Sequence, residues 1–328
     1  MSRSDAVRRR GTFRALLMLA LVAAIVLPVV GLRVLAKDSP EAVSRTGSVT
    51  LTPGHRLLYV VDGHVASLSL TGTAISLHGT PVVSDLLCAR VYAAHGTGLC
   101  LRKINAVAWS ATVLDRDLQA TTTWPMAGEP ALARVSPSGR MVAWTALTRG
   151  SSLSGSFSAV TSVVDTSTGT QVEDLAAYTV TKGKHGPRLH GTQVWGVTFV
   201  DDDRFYATVS HDGTRYLAVG SIHDRTLRTI AEDVTNPAVS PDGRRVAFVR
   251  PGVGERGRGL LAVMNLRTHG TVEFGEQRGV VDQPIWIDAR TIGYVVRDDA
   301  GRSSIWSTPL GGGTPELLVD DAQSPSPL

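Results

Sequence analysis

The sequence predicts an all-β fold, a six-bladed β-propeller of four-stranded antiparallel blades, preceded by one N-terminal transmembrane or signal helix. Three observations predict it. The stretch "VSPSGRMVAW" (Val135 to Trp144) is rewritten about a hundred positions later as "VSPDGRRVAF" (Val239 to Phe248). Looser versions of the same strand–turn–strand phrase recur at intervals of roughly 35–65 residues. Gly is abundant and aromatic residues make up 5% of the chain, which suits short strands and tight turns.

Residues 1–14, "MSRSDAVRRRGTFR", form a basic tail. The uncharged run "ALLMLALVAAIVLPVVGL" (Ala15 to Leu32) follows, long enough for roughly 27 Å of helix. By the positive-inside rule the tail stays cytoplasmic and everything after Arg33 lies outside. The apolar run exceeds the 7–15 residues usual in a secretory signal, so 15–35 is read as an uncleaved single-pass anchor. A cleaved signal is the alternative, and both export the folded part. Residues 36–47 are a linker, 48–320 the propeller and 321–328 a disordered tail.

Six units are expected to begin near residues 48, 82, 130, 193, 236 and 283. In the sharpest unit, Ser240-Pro241-Asp242-Gly243 has the residue order of a type I turn, and "RVAFV" reads as the strand after it. "WGVTFVDDDRFYATV" (Trp195 to Val209) and "PIWIDARTIGYVV" (Pro284 to Val296) replace the Pro-Gly turn by acidic ones. "PGHRLLYVV" and "LLCARVYAA" keep an apolar run and a turn. Two further strand-like pieces follow, as in "GLLAVMNLRTHGTVEFG" (Gly259 to Gly275). A four-stranded sheet has two faces to cover and cannot do so alone; packed radially, such sheets cover one another.

The two cysteines, Cys88 and Cys100, flank "HGTG" in what reads as a hairpin. Paired across it, they are expected to form a disulfide outside the cytoplasm. Two reduced thiols, or a zinc site for which no His stands at ligand spacing, are the other readings.

"PAVSPDGRRVAFVR" resembles the WD40-like repeat of TolB-type propellers, a group that also supplies the propeller domain of prolyl oligopeptidases. The resemblance covers about residues 48–320, with two repeats carrying it sharply. It implies a six-bladed propeller. For TolB itself it also implies periplasmic binding to a peptidoglycan-associated lipoprotein. The separate N-terminal α/β domain of TolB is replaced here by a membrane segment, so that partner is not carried over.

In such blades the turns between first and second strands share one face, and the loops between second and third strands share the other with the blade crossings. The long loops of this second face carry Arg149, Lys182, Lys184, Arg188, Arg250, Arg256, Arg258, Arg297 and Arg302 against Asp212, Glu255, Asp298 and Asp299. They predict a locally positive face for a protein or anionic envelope partner, unless Arg and Gly are simply common in exposed loops. Glu129, Gln193, Asn236 and Gln283 precede the innermost strands. They line the channel mouth and hold a small ligand or ion, or else they only set up the Pro that follows three of them.

Charge and motifs bound the function. Residues 1–37 hold seven of the 33 basic residues and one of the 29 acidic ones, leaving 26 against 28 in the rest. A nearly neutral folded part argues against nucleic acid. No Gly-x-Ser-x-Gly elbow, His-x-x-x-His pair or phosphate-binding Gly loop occurs, so no catalytic residue, metal ligand or cofactor is assigned. Asp201-Asp202-Asp203 reads as a solvated turn rather than a Ca²⁺ loop. The expected function is a non-catalytic extracytoplasmic binding or scaffold module. The alternative is a propeller hydrolase or lyase with a metal ion in the central channel, whose ligands would come from distant blades.

Overall fold

A computed structural model describes residues 48–71, 76–77, 80–149, 157–252, 259–276 and 278–328. The expected tail, anchor and most of the linker lie outside the described residues. Among those described, no helix is long and apolar enough to cross a membrane, and the one helical segment is a 3-10 turn at Leu175–Ala177.

The strands form the six sheets of a propeller. From the axis outward, blade 2 contains Arg90–Ala94, Thr97–Lys103, Trp109–Leu114 and Ala120–Met126. Blade 3 contains Glu129–Val135, Met141–Arg149, Phe157–Asp165 and Gln171–Val172. Blade 4 contains Gln193–Phe199, Arg204–His211, Thr214–Ser221 and Thr226–Glu232, and adds two short outer strands, Thr179–Thr181 and Arg188–Leu189. Blade 5 contains Thr235–Val239, Arg245–Arg250, Leu260–Asn265 and Thr271–Glu273. Blade 6 contains Ile285–Trp286, Thr291–Arg297, Ser303–Pro309 and Glu316–Val319.

Blade 1 corrects two expectations. Its innermost strand is Ala322–Pro327, antiparallel to Arg56–Val61, so residues 321–328 are ring structure and not a disordered tail. Pro325 and Pro327 mimic a tail in sequence. They are tolerated because an innermost strand has a free edge that needs no donor. Val82–Leu87, expected to open the second unit, instead pairs with His64–Thr71 as an outer strand of blade 1. Blade 2 therefore begins at Arg90.

The middle strands read as unbroken apolar runs because both of their faces are covered. In Arg56–Val61, Leu58 and Val60 pack with Val91 and Cys100 of blade 2, whereas Leu57 and Tyr59 pack with Ile285 and Val295 of blade 6. In Met141–Arg149, Val142 and Trp144 face blade 2, and Met141 and Ala143 face blade 4. Each of the six blade interfaces has its own apolar cluster.

The repeated phrase has a specific local cause. Ser136 and Ser240 are buried, and each Oγ accepts the backbone N–H five residues on, from Met141 and Arg245 at 3.0 Å. Gly139 and Gly243 close the turns at φ +81° and +67°, where a side chain is strained. Cys88 and Cys100 form the expected disulfide, with Cα atoms 5.5 Å apart. They are not opposite one another, however. Val91 faces Cys100 in the hairpin, and Cys88 lies before the strand, its N–H donating to the Gly63 carbonyl of blade 1.

Candidate functional site

The centre of the wheel is plugged. Six innermost strands surround the axis, and Asp282-Gln283-Pro284, leading into the innermost strand of blade 6, tie five of the blades together there. Asp282 accepts a 2.8 Å ion pair from Arg90 of blade 2, which also approaches Gln323 of blade 1 at 3.4 Å. Gln283 is 1% exposed; its Nε2 donates to the Pro237 carbonyl of blade 5 at 2.5 Å and to the Val197 carbonyl of blade 4 at 3.0 Å. Its Oε1 is buried with no hydrogen-bond partner among the described residues. The Pro284 carbonyl accepts from Nη2 of Arg134 of blade 3 at 3.0 Å.

This plug separates two cavities. On the loop face, about 370 Å³ is lined by Arg90, Gln193, Trp195, Asn236, Asp282 and Arg297, among others. On the opposite, turn face, about 420 Å³ lies between Tyr92, Arg134, Phe199 and Trp286, with the repeated Ser-Pro turns contributing Pro137 and Pro241 to its wall.

Arg134 is the most unusual charge in the ring. It is 8% exposed, its guanidinium lies 4.3 Å from the centre of the Tyr92 ring, and Nη1 donates to the Ala133 carbonyl. Among the described residues no carboxylate is within ion-pair distance. Burial pulls its pKa down, opposed by Tyr92 and by the more distant Asp282. Arginine stays charged even so.

Of the four residues expected at the channel, Gln193 and Asn236 line the loop-face cavity and Gln283 is the plug beneath. Gln193 Oε1 accepts the Ala159 N–H, and Asn236, at φ +52°, donates its N–H to Thr208 Oγ1. Glu129 is exposed at the start of its strand and does not line either cavity.

The nine basic loop residues do not form one free patch. Arg250 pairs with Glu273, Arg302 with Asp298 at 2.9 Å, and Lys182 with Glu232 at 3.8 Å. Lys182 also lies over the Tyr216 ring. Arg256 and Arg258 fall outside the described residues, as does the side chain of Arg149. Lys184, Arg188 and Arg297 are exposed, with no carboxylate in ion-pair range among the described residues. Lys184 and Arg188 sit on the added hairpin of blade 4, whose first strand runs parallel to Thr226–Glu232 and so brings its turn to the loop face.

The aspartate triplet is structural. Asp201 accepts the N–H groups of Asp203 and Arg204 in its own turn. Although partial burial works the other way, those bonds and Arg204 hold its carboxyl below the usual range. Asp202 accepts from Ser136 and Ser138 of blade 3, and Asp203 from Ser221. Among the described residues no three His, Cys, Asp or Glu side chains converge as metal ligands.

Sequence reasoning passed over Arg134, Arg90 and Asp282. "ALARV" and "CARVY" look like strand residues, and nothing local shows that they meet across the axis.

No protein-family profile matches the chain, and no curated protein matches it in sequence. Solved structures do match in fold. TolB from Acinetobacter baumannii superposes with a TM-score of 0.55 at 14% identity, covering 84% of this chain and 67% of that one. A Mycobacterium tuberculosis puromycin-hydrolysing peptidase gives 0.48 at 13%, covering 82% of this chain and 45% of that one. An oligogalacturonate lyase in complex with manganese gives 0.48 at 12%, covering 78% and 74%. At this identity the likeness to the Acinetobacter baumannii protein shows the fold, a TolB-like propeller.

Proposed function

We propose that this protein is a non-catalytic binding and scaffold module of a bacterial cell envelope, with its propeller outside the membrane. Residues 15–35 hold it there as a single pass, or are removed as a signal. The disulfide supports an oxidising compartment. The partner is an envelope component, a protein or polymer with an anionic patch, that meets the loop face.

One observation carries the reading: blade 4 departs from the four-strand plan by a hairpin, Thr179–Thr181 with Arg188–Leu189, that packs on its outer strand and exposes Lys184 and Arg188. An addition that contributes cations to one face of a nearly neutral ring is a feature for contact. The closed hub also favours contact at the rim over passage through the channel.

Photo-cross-linking in intact cells tests this. A cross-linker at Lys184 is expected to capture an envelope component that one at Asp117 does not. Charge reversal by Lys182→Glu with Arg188→Glu is expected to cut that yield about tenfold at physiological salt. Equal capture from both positions, or capture of cytoplasmic proteins alone, would overturn the reading. Recovery of the N-terminal peptide with the protein distinguishes anchor from cleaved signal.

A further inference from the structure

We infer that the turn-face cavity is a binding site for a carboxylate borne on an apolar or aromatic body, with Arg134 as the residue that recognises it. The reading is independent of the loop-face partner, because the two lie on opposite sides of the plug. A guanidinium has five N–H donors in a planar fork. Two hydrogen bonds are made here, to the carbonyls of Ala133 and Pro284, both neutral acceptors. Tyr92 covers the face of the group without neutralising it. A buried charge with no counter-ion among the described residues is costly, and a guanidinium's planar fork is the group that matches a carboxylate.

The space beside it fits such a ligand. A cavity of about 420 Å³ falls within the range of small-molecule sites. Its wall is polar and apolar in nearly equal parts, the apolar part supplied by Tyr92, Phe199 and Trp286 with Pro137, Pro241 and Pro327. The acid on the wall, Asp242, is engaged by Ser240 Oγ at 2.5 Å and by the Arg244 N–H at 3.0 Å. It belongs to its own turn, and among the described residues no carboxylate pairs with Arg134. An apolar body on the aromatic wall with its carboxylate at the guanidinium would supply the missing charge and exclude water from it.

Such a carboxylate is either a free small acid or the end of a peptide chain. The test uses the full-length protein in detergent micelles and the fluorescence of Trp286. Titrants are 3-phenylpropanoate, acetyl-Ala-Ala-Phe with a free carboxylate, and the same peptide as its amide. At least one acid is expected to saturate the signal, and the amide to bind about tenfold more weakly or worse. A tighter peptide acid identifies a chain terminus; a tighter phenylpropanoate identifies a free acid. Arg134→Met should abolish the preference for acid over amide, and Trp286→Phe should remove most of the signal. Ala94→Leu fills the cavity without altering the guanidinium, and should weaken binding in a folded protein even if Arg134→Met does not fold. Absence of saturation by either acid up to about 10 mM, equal binding of acid and amide, or undiminished binding to Ala94→Leu would overturn the assignment.

Discussion

Blade 5 is one uninterrupted phrase, Thr235 to Glu273, whereas blade 1 is assembled from opposite ends of the described chain. In blade 5 the innermost strand reaches its neighbour through five residues, Ser240 to Arg244, and the turn itself fixes the register. In blade 1 the innermost strand has no such turn, and its place is held laterally. Ser324 Oγ accepts the N–H of Val91 and donates to its carbonyl, both at 2.9 Å. Ser326 does the same at Ala93, at 2.9 and 3.2 Å. The free edge of blade 2 is thus satisfied by side chains. The disulfide stands at this same seam, with both cysteines in the cluster between blades 1 and 2. A ring is closed once, and the reinforcements gather where no covalent turn can do the work.

The largest way to break the comparison is to remove the closing strand. A chain ending at Asp320 exposes the edge of Arg56–Val61 and opens the wheel. Its expected cost is on the order of a whole domain's stability, 5–15 kcal/mol, seen as loss of a cooperative thermal transition. Reducing the disulfide, or replacing both cysteines by Ser, should cost about 2–3 kcal/mol because the closed loop is short. Urea midpoints with and without reductant measure it. Ser324→Ala and Ser326→Ala each leave a buried N–H and C=O unpaired, at about 1–3 kcal/mol apiece.

The two repeated turns sharpen the comparison at a finer scale. Gly243→Ala should cost about 1 kcal/mol for its positive φ alone, since no atom crowds the new Cβ. Gly139→Ala should cost more, because its Cβ would lie 2.8 Å from Thr97 Oγ1 of blade 2. The smallest effect is electrostatic. Arg140 holds the Asp165 carboxyl well below the usual carboxylate range. A depressed folded pKa gives stability that is fully present above the unfolded value, near 3.9, and is lost progressively as pH falls from there through the lowered folded value. Arg140→Ala should therefore lower the melting temperature slightly at pH 5–7, and the difference from the parent should shrink steadily as pH falls below about 4.

What the sequence reveals follows the same division. "VSPDGRRVAF" is legible because a buried Ser, a Gly at positive φ and a two-faced strand are local devices, written within ten residues. "DAQSPSPL" reads as a tail because its prolines signal disorder locally, while the partners of Ser324 and Ser326 lie at the other end of the chain. Val82–Leu87 misleads for the same reason, since an apolar run does not say which neighbour it joins. Gln283 was legible as a residue that precedes an innermost strand. Its partners Val197 and Pro237, and the meeting of Arg134 with Pro284, were not, because side-chain convergence on an axis leaves no periodicity.

The most direct test of a wheel joined at its hub and closed by a clasp is amide hydrogen exchange on the full-length protein and on the Ser324→Ala, Ser326→Ala double variant. If the ring is one cooperative unit, protection should fall in blade 5, at Arg245–Arg250, as well as beside the seam at Arg56–Val61. Loss confined to blades 1 and 2, with blade 5 as protected as before, would contradict it.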